Sequence, residues 1–104
     1  RDFVFVDDIS RACLLALESY AQADPVNIGS GVGTTINELV KTVLKTTEHD
    51  VPIEFDTSRP TTNRYRVLDT EHAQKTLDFQ TQISVEEGIL RTVNWIQGKE
   101  EAFI

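Results

Sequence analysis

The first eight residues of this chain limit its fold strongly, because a strand-like run leads directly into a helix start. Positions 3–6 read Phe-Val-Phe-Val, which is apolar and β-favouring and predicts a strand buried on both faces. Asp7 or Asp8 is the predicted cap of the helix that follows. Chain termini are usually the least ordered part of a domain. We therefore expect this sequence to be the C-terminal piece of a larger protein.

Apolar periodicity predicts two helices in the first half of the chain. The first follows the paired aspartates, and its apolar face is formed by Ile9, Ala12, Cys13, Ala16, Leu17 and Tyr20. The second starts at a capping box, in which Thr35 and Glu38 each satisfy a free main-chain N–H of the other. Its apolar stripe consists of Ile36, Leu39, Val40, Val43 and Leu44.

Two further helices are predicted near the C-terminus. A short helix is expected to start at Thr70 as its cap and to run through Leu77. A longer one follows a second capping box, formed by Ser84 and Glu87. Gly88 lies inside this helix, where glycine costs about 1 kcal/mol relative to alanine, so we expect another part of the chain to pack closely against it.

Two more segments have the composition of short strands, at positions 26–28 and 51–55. Together with the initial strand and about four helices, they predict the α/β class. No repeat, low-complexity stretch or linker divides the 104 residues, so residues 1–104 are expected to form a single domain.

Composition narrows the classes of function. The formal net charge is -7, which argues against general binding of a nucleic-acid backbone. No apolar run approaches the ~18 residues of a membrane span. The single cysteine, Cys13, falls on the apolar face of the first predicted helix, so we expect a buried and inert thiol. One unpaired cysteine fits a reducing cytoplasm, where we place the protein.

Few residue patterns suggest catalysis or cofactor binding within this chain. The turn at 29–33 contains Gly29 and Gly31, but Thr34 stands where a dinucleotide-binding fingerprint needs its third glycine. An ordinary strand-to-helix turn is the preferred interpretation. His49 and His72 have no further ligand at metal-binding spacing. Neither tyrosine begins a Tyr-x-x-x-Lys pair, so we expect no catalytic, cofactor-binding or metal-binding residues here.

An arginine-rich segment at 59–66 is the best candidate for a binding site. Arg59, Arg64 and Arg66 account for three of the ten basic residues, and no acid occurs between Asp56 and Asp69. A guanidinium group keeps its charge at any working pH and matches phosphate oxygens with a flat fork of donors. The segment is expected to be exposed, because it also contains Pro60, Thr61, Thr62 and Asn63. The alternative is a basic surface loop that pairs with the acids of the chain itself.

Several stretches, in order along the chain, resemble the extended short-chain dehydrogenase/reductase family, which contains the nucleotide-sugar epimerases and dehydratases. Arg-Asp-Phe-Val-Phe-Val-Asp-Asp-Ile at 1–9 is similar to a strand-and-helix signature of that family. Asn-Ile-Gly-Ser-Gly at 27–31 and Thr-Ile-x-Glu-Leu at 35–39 resemble its next turn and helix. Arg59-Pro60, with Leu68-Asp69 further on, resembles its substrate loop, and Ser-Val-Glu-Glu-Gly-Ile at 84–89 resembles its closing helix.

The resemblance implies a small C-terminal substrate-binding portion whose Rossmann domain is absent from this chain. Such enzymes bind NAD or NADP on the N-terminal domain and hold a nucleoside-diphosphate sugar largely on the C-terminal part. By match to the family motifs, Arg1 and Arg59 are expected to contact the diphosphate or ribose, and Arg66 and Arg64 to assist. A homodimer of the full-length enzyme, with no nucleic-acid or membrane partner, is also implied.

Two other functions stay open at this point. A relative that kept the fold and lost the chemistry would be a binding or regulatory module. A stand-alone domain would interact through its exposed sheet face. In the preferred interpretation the fragment alone is inactive, and part of its apolar surface faces the missing domain, so that isolated fragments expose a patch or associate.

Overall fold

The computed structural model of the protein describes residues 1–61 and 63–98. Within them the chain forms four helices: α1 (Val6–Ser19), α2 (Ile36–Thr46), α3 (Glu71–Leu77) and α4 (Val85–Ile96). Helix α1 packs against α3, and α2 packs against α4. The molecule is flat, with extents of 48 × 39 × 18 Å. The four predicted helices are thereby confirmed.

A small core lies between α1 and α3. Ala12, Ala73, Leu77 and Phe79 are buried in it, and Phe79 is only 1% exposed. Side chains from the end of α1 and from the segment after it pack around this core, namely Leu15, Ala16, Tyr20, Val26 and Ile28. Because few large side chains are fully buried, Phe79 carries much of the packing on this side of the molecule.

The capping boxes are confirmed unequally. At α2 the Glu38 main-chain N–H donates to the Thr35 hydroxyl at 3.1 Å, and the Thr35 N–H donates to the Glu38 carboxylate at 2.8 Å. At α4 the Ser84 hydroxyl accepts from the Glu87 N–H at 3.1 Å. The Glu87 carboxylate instead receives Arg91 Nε at 2.8 Å, so the second box is half formed.

Close packing at Gly88 is confirmed. The glycine is buried in α4, and a Cβ added there would lie 3.0 Å from Cδ2 of Phe5. The ring of Phe5 therefore occupies the space that any other side chain at position 88 would need. This contact fixes α4 against the residues that lead into α1.

In the described part of the chain the predicted short strands form no strand pairing, and Val6, predicted as the end of the first strand, instead begins α1. A strand is defined by the partner that takes its main-chain hydrogen bonds, and a four-residue run cannot supply that partner itself. Only Arg1 and Thr34 exchange two main-chain bonds here, at 2.8 and 2.9 Å. The comparison below nevertheless places these segments in an α/β fold.

Both predicted caps of α1 were wrong. The helix begins at Val6, its N-cap is Phe5, and no side chain caps it. Asp7 and Asp8 lie inside the first turn, and the carboxylate of Asp8 turns to main-chain N–H groups of the loop before α4. At α3, Thr70 occupies the predicted N-cap position without a side-chain bond. Asp69 accepts from the Glu71 N–H at 2.9 Å instead.

The expected burial of Cys13 was also wrong, because the thiol is exposed. Helix α1 buries Ala12 against the core, but its neighbouring face stays open, and Leu17 is 84% exposed. An apolar stripe in the sequence identifies a face that can be buried, not the partner that buries it. None of the helices in the described ranges has the length and apolar character to cross a membrane.

Candidate functional site

Three segments that are distant in sequence meet at one end of the molecule. They are the N-terminal segment (residues 1–5), the glycine turn (residues 29–33) and the arginine segment (residues 59–66). Main-chain bonds with Thr34 hold Arg1 beside the glycine turn. Its guanidinium Nη1 donates to the carbonyl oxygen of Asn63 at 2.7 Å. Arg1 therefore touches the segment that carries the other three arginines predicted to bind substrate.

Asp2 joins these segments through its carboxylate. Oδ1 accepts from the Ser30 N–H at 2.9 Å and from the Ser30 hydroxyl at 2.6 Å. Oδ2 accepts from the Gly31 N–H at 3.0 Å and from the Leu68 N–H at 3.2 Å. Burial alone would raise the pKa of Asp2, but the bonds from Ser30, Gly31 and Leu68 outweigh it and hold the pKa below its ordinary value.

The glycines of the turn are explained by close approach of the chain. A Cβ on Gly29 would lie 2.8 Å from Oδ2 of Asp2 and 2.9 Å from Cβ of Leu68. Gly31 has a φ of +73°, a conformation that side chains with a Cβ rarely adopt. A Cβ on Gly33 would approach Val67 to 3.2 Å. The turn is thus shaped by packing against the residues just beyond the arginine segment.

The side chains of the arginine segment extend into solvent. Arg59 Nε lies 3.6 Å from Oδ2 of Asp56, and the two side chains are 87% and 61% exposed. An ion pair this exposed contributes little and leaves the guanidinium accessible. Arg64 and Arg66 are exposed as well. Thr62, which was expected to be part of the exposed loop, lies outside the described residues.

The carboxylate of Asp56 accepts hydrogen bonds from Ser58, two residues further on, in addition to its contact with Arg59. Its carboxylate accepts the Ser58 N–H at 2.9 Å and the Ser58 hydroxyl at 2.5 Å. These bonds, the hydroxyl first, lower the pKa of Asp56. The acid next to Arg59 therefore already has hydrogen-bond partners, and an incoming anion would compete for Arg59 against a weak contact.

A second carboxylate, Asp8, lies just beyond the N-terminal segment in the chain and is 1% exposed. It accepts the N–H groups of Gln82 and Ile83 at 3.0 and 3.1 Å and pairs with Arg11 at 2.9 Å. Burial alone would raise the pKa of Asp8, but the bonds from Arg11, Gln82 and Ile83 hold it below its ordinary value. Arg11 also stacks on the ring of Phe79, 4.8 Å from its centroid.

Chemically, the site offers fixed positive charge from guanidinium groups. Arg1 is positioned by main-chain bonds on one segment, and the arginine segment lies beside it. Guanidinium groups bind and orient phosphate oxygens but do not give up protons at neutral pH. Within residues 1–61 and 63–98, no cluster of histidine, cysteine or carboxylate side chains is suited to hold a metal ion. Anion binding is thus the chemistry that the described residues support.

Two largely apolar hollows lie apart from the arginine segment. One, of about 810 Å³, is lined by Phe5, Val6 and Trp95 among others, where α1 begins beside α4. The second, of about 540 Å³, runs along the open face of α1 and includes Cys13 and Leu17. Trp95 is 71% exposed. An exposed apolar surface of this kind on a small chain marks a place where another surface packs.

Asp2 and the glycine turn were missed as parts of this site by the sequence-based predictions. The signal for Asp2 was weak: a single acid between Arg1 and an apolar run. The glycine turn offered a stronger signal, because its main-chain N–H groups need acceptors and the turn itself has no acidic side chain. A carboxylate elsewhere in the chain is one of the groups that can serve them.

Comparison with known proteins identifies relatives over almost the whole chain. The chain is 32% identical over 101 residues to the UDP-glucose 4-epimerase of Mycolicibacterium smegmatis, covering 97% of this chain and 32% of the relative. It is 30% identical over 95 residues to GDP-L-fucose synthase 1 of Arabidopsis thaliana, covering 91% of this chain and 29% of the relative. No family model matches the chain.

Solved structures share its fold. The UDP-glucose 4-epimerase of Thermotoga maritima, determined with UDP-glucose, superposes with a TM-score of 0.87 at 37% identity, covering 97% of this chain and 32% of that one. The enzyme WbmF of Bordetella bronchiseptica, in complex with NAD+ and UDP, superposes with a TM-score of 0.81 at 25% identity. The match covers 95% of this chain and 30% of that one.

The chain spans about 30% of the length of these relatives. The α/β fold expected from the sequence is confirmed by the superpositions, in which the four helices form part of a larger α/β enzyme. The relatives are nucleotide-sugar epimerases and fucose synthases, which agrees with the motifs read from the sequence. The chain therefore belongs to the extended short-chain dehydrogenase/reductase family and corresponds to the C-terminal part of its nucleotide-sugar enzymes.

Proposed function

We propose that this chain is the part of an NAD(P)-dependent nucleotide-sugar epimerase or dehydratase that binds the nucleoside-diphosphate sugar. Arg1 and Arg59 contact the diphosphate or ribose, and Arg66 and Arg64 assist them. The observation that carries the proposal is the contact of the Arg1 guanidinium with Asn63 at 2.7 Å. It joins the cation of the N-terminal segment to the segment that holds the other three.

Charge supports an anionic ligand at this end of the molecule. The chain as a whole carries a formal charge of -7, so diphosphate is repelled by most of the surface. The acid-free run between Asp56 and Asp69 is the local exception. Arginines on two separate segments can grip a diphosphate from two directions and so orient the attached sugar, which is a positioning contribution to catalysis.

In this proposal the cofactor, NAD or NADP, is bound by an N-terminal Rossmann domain outside this chain, which also supplies the catalytic residues. The whole enzyme is a homodimer in the cytoplasm, and the chain alone is inactive. The apolar hollows beside α1 and α4 suit a surface that packs against that domain. The length of the relatives, about three times that of this chain, supports a further domain.

The test is calorimetric titration of the whole enzyme with UDP and GDP. Arg59→Ala is expected to weaken the affinity for the matching nucleotide by about tenfold or more, since a hydrogen bond to a charged group is worth roughly 1.5–3 kcal/mol. Lys75→Ala is the matched control: it also removes one positive charge, from an exposed pair with Glu71 on α3. Equal affinities of the Arg59 variant and the unmodified enzyme would contradict the role of Arg59.

Turnover separates an enzyme from a binding module. If the whole protein converts a UDP- or GDP-sugar and loses activity when NAD(P) is removed, the enzymatic proposal stands. If it binds UDP or GDP through Arg59 without converting any sugar nucleotide, the chain belongs to a relative that kept the site and lost the chemistry.

A further inference from the structure

The carboxylate of Asp2 links the chain next to Arg1 with the chain just beyond Arg66, two of the arginines proposed to bind substrate. Arg1 precedes it directly in the chain. Leu68, whose N–H donates to Oδ2 at 3.2 Å, lies two residues after Arg66. Two residues of chain span at most about 7 Å, so the anchor at Leu68 restricts where the main chain of Arg66 can lie.

All the acceptor positions of this carboxylate are used within the chain. An ionised carboxylate has about four lone-pair sites, and Asp2 receives four hydrogen bonds, from the Ser30 N–H and hydroxyl, the Gly31 N–H and the Leu68 N–H. Asp2 is therefore not drawn into an ion pair with Arg1. The guanidinium of Arg1 instead donates to the Asn63 carbonyl.

From this geometry we infer that Asp2 is the positioning residue of the substrate site, holding Arg1 and the arginine segment in one arrangement through the glycine turn. The inference rests on the proposed function of the arginines. In this role Asp2 does not contact the substrate itself. It also explains why a negative charge is tolerated beside an anion site: the carboxylate is the common acceptor for three segments.

The charge of Asp2 makes the test decisive. Removing a negative charge near an anion site should by itself tighten the binding of a diphosphate. Losing the fixed arrangement of the arginines should weaken it. In Asp2→Asn the amide keeps one acceptor oxygen and turns an NH₂ toward the donors that the other oxygen served. A purely electrostatic role and a positioning role therefore predict opposite signs.

The experiment is calorimetric titration of the whole enzyme with UDP and GDP. Asp2→Asn is expected to weaken binding by about tenfold, within the usual range of coupling between linked sites. Glu71→Gln removes the same charge from an exposed position on α3, where the carboxylate pairs with Lys75. It is expected to leave the affinity within about twofold, as for other surface substitutions.

A second variant covers the case in which Asp2→Asn does not fold. Ser30→Ala removes the 2.6 Å hydroxyl bond to Oδ1 without changing any charge, and is expected to weaken binding by about threefold. A double-mutant cycle that combines Asp2→Asn with Arg66→Ala adds a further measurement. Reduced stability alone would not change its result. If Asp2 acts through the arginine segment, the two losses in affinity are not additive.

The outcomes separate the two proposals. If the unmodified enzyme binds neither UDP nor GDP, or Arg59→Ala binds as well as the unmodified enzyme, the proposed function fails and this inference fails with it. If Arg59→Ala weakens binding but folded Asp2→Asn binds equally or more tightly, the inference alone is overturned. Additive losses in the cycle would likewise assign Asp2 a role independent of the arginines.

Discussion

Asp2 and Asp8 lie six residues apart, and each receives hydrogen bonds from main-chain N–H groups of a distant segment. Asp8 is 1% exposed, pairs with Arg11 and serves the loop at 82–83. Asp2 is half-buried and serves the glycine turn and Leu68. In the described part of the chain it has no ion-pair partner, although Arg1 is its neighbour in sequence.

The difference separates two uses of the same side chain. The charge of Asp8 is balanced inside the fold, because Arg11 pairs with it and stacks on Phe79 in the core. Replacing Asp8 should therefore affect stability. The charge of Asp2 is balanced by N–H and O–H donors at the edge of the arginine site, so replacing it should affect the shape of that site as well. The predictions below test this division.

The largest effect is expected at Asp8. Asp8→Asn leaves two main-chain N–H groups and Arg11 competing for one acceptor oxygen, so the free energy of unfolding should fall by about 3 kcal/mol. Asp7→Asn is the matched control: its exposed pair with Arg91 should contribute about 0.5 kcal/mol or less. Urea unfolding followed by circular dichroism measures both. If both variants lost a similar free energy of unfolding, the buried Asp8 would contribute no more to stability than the exposed Asp7.

A smaller loss of stability is expected at the glycine turn. Gly29→Ala forces a Cβ to within 2.8 Å of the Asp2 carboxylate and 2.9 Å of Leu68 Cβ, which should cost about 2 kcal/mol. Gly33→Ala is the control, because its nearest neighbours are side-chain atoms of Val67 and of the exposed Tyr65. There the expected cost is roughly 0.5 kcal/mol. Thermal unfolding distinguishes them, and equal melting temperatures would contradict the close approach at Gly29.

The parts of the fold that could be predicted from the sequence are those fixed by neighbouring residues. The capping box of Thr35 and Glu38 spans three positions, and each partner is visible from the other. Apolar stripes placed α1 and α2 for the same reason, and cap residues at Thr70 and Ser84 marked the starts of α3 and α4. Gly88 could be recognised as a close contact, because glycine inside a helix has a cost that some other gain must offset, although Phe5 could not be named.

The missed features depend on partners far away in the chain. The bonds of Asp8 to Gln82 and Ile83 span 74 and 75 residues, so the sequence suggested the nearer role of a helix cap. Cys13 was placed in the core because its helix face is apolar, and no rule of periodicity says which apolar face stays open. At the site, the arginine segment is a local charge pattern and could be found. Its contact with Arg1 spans 62 residues, and only the family resemblance suggested that the two would meet.

The smallest effect is expected in acid, where both aspartates contribute with the same sign. Their pKa values are lowered in the folded protein, so their stabilisation is complete well above pH 4 and is lost as the pH falls below about 4. Asp8→Asn and Asp2→Asn should each flatten the decline of the urea midpoint between pH 6 and pH 3, roughly the range over which an aspartate protonates. If the urea midpoint of Asp2→Asn fell as steeply with pH as that of the unmodified protein, the four hydrogen bonds of Asp2 would not favour its charged form. Asp2 and Asp8 would then resemble each other in their hydrogen-bond geometry but not in their effect on stability.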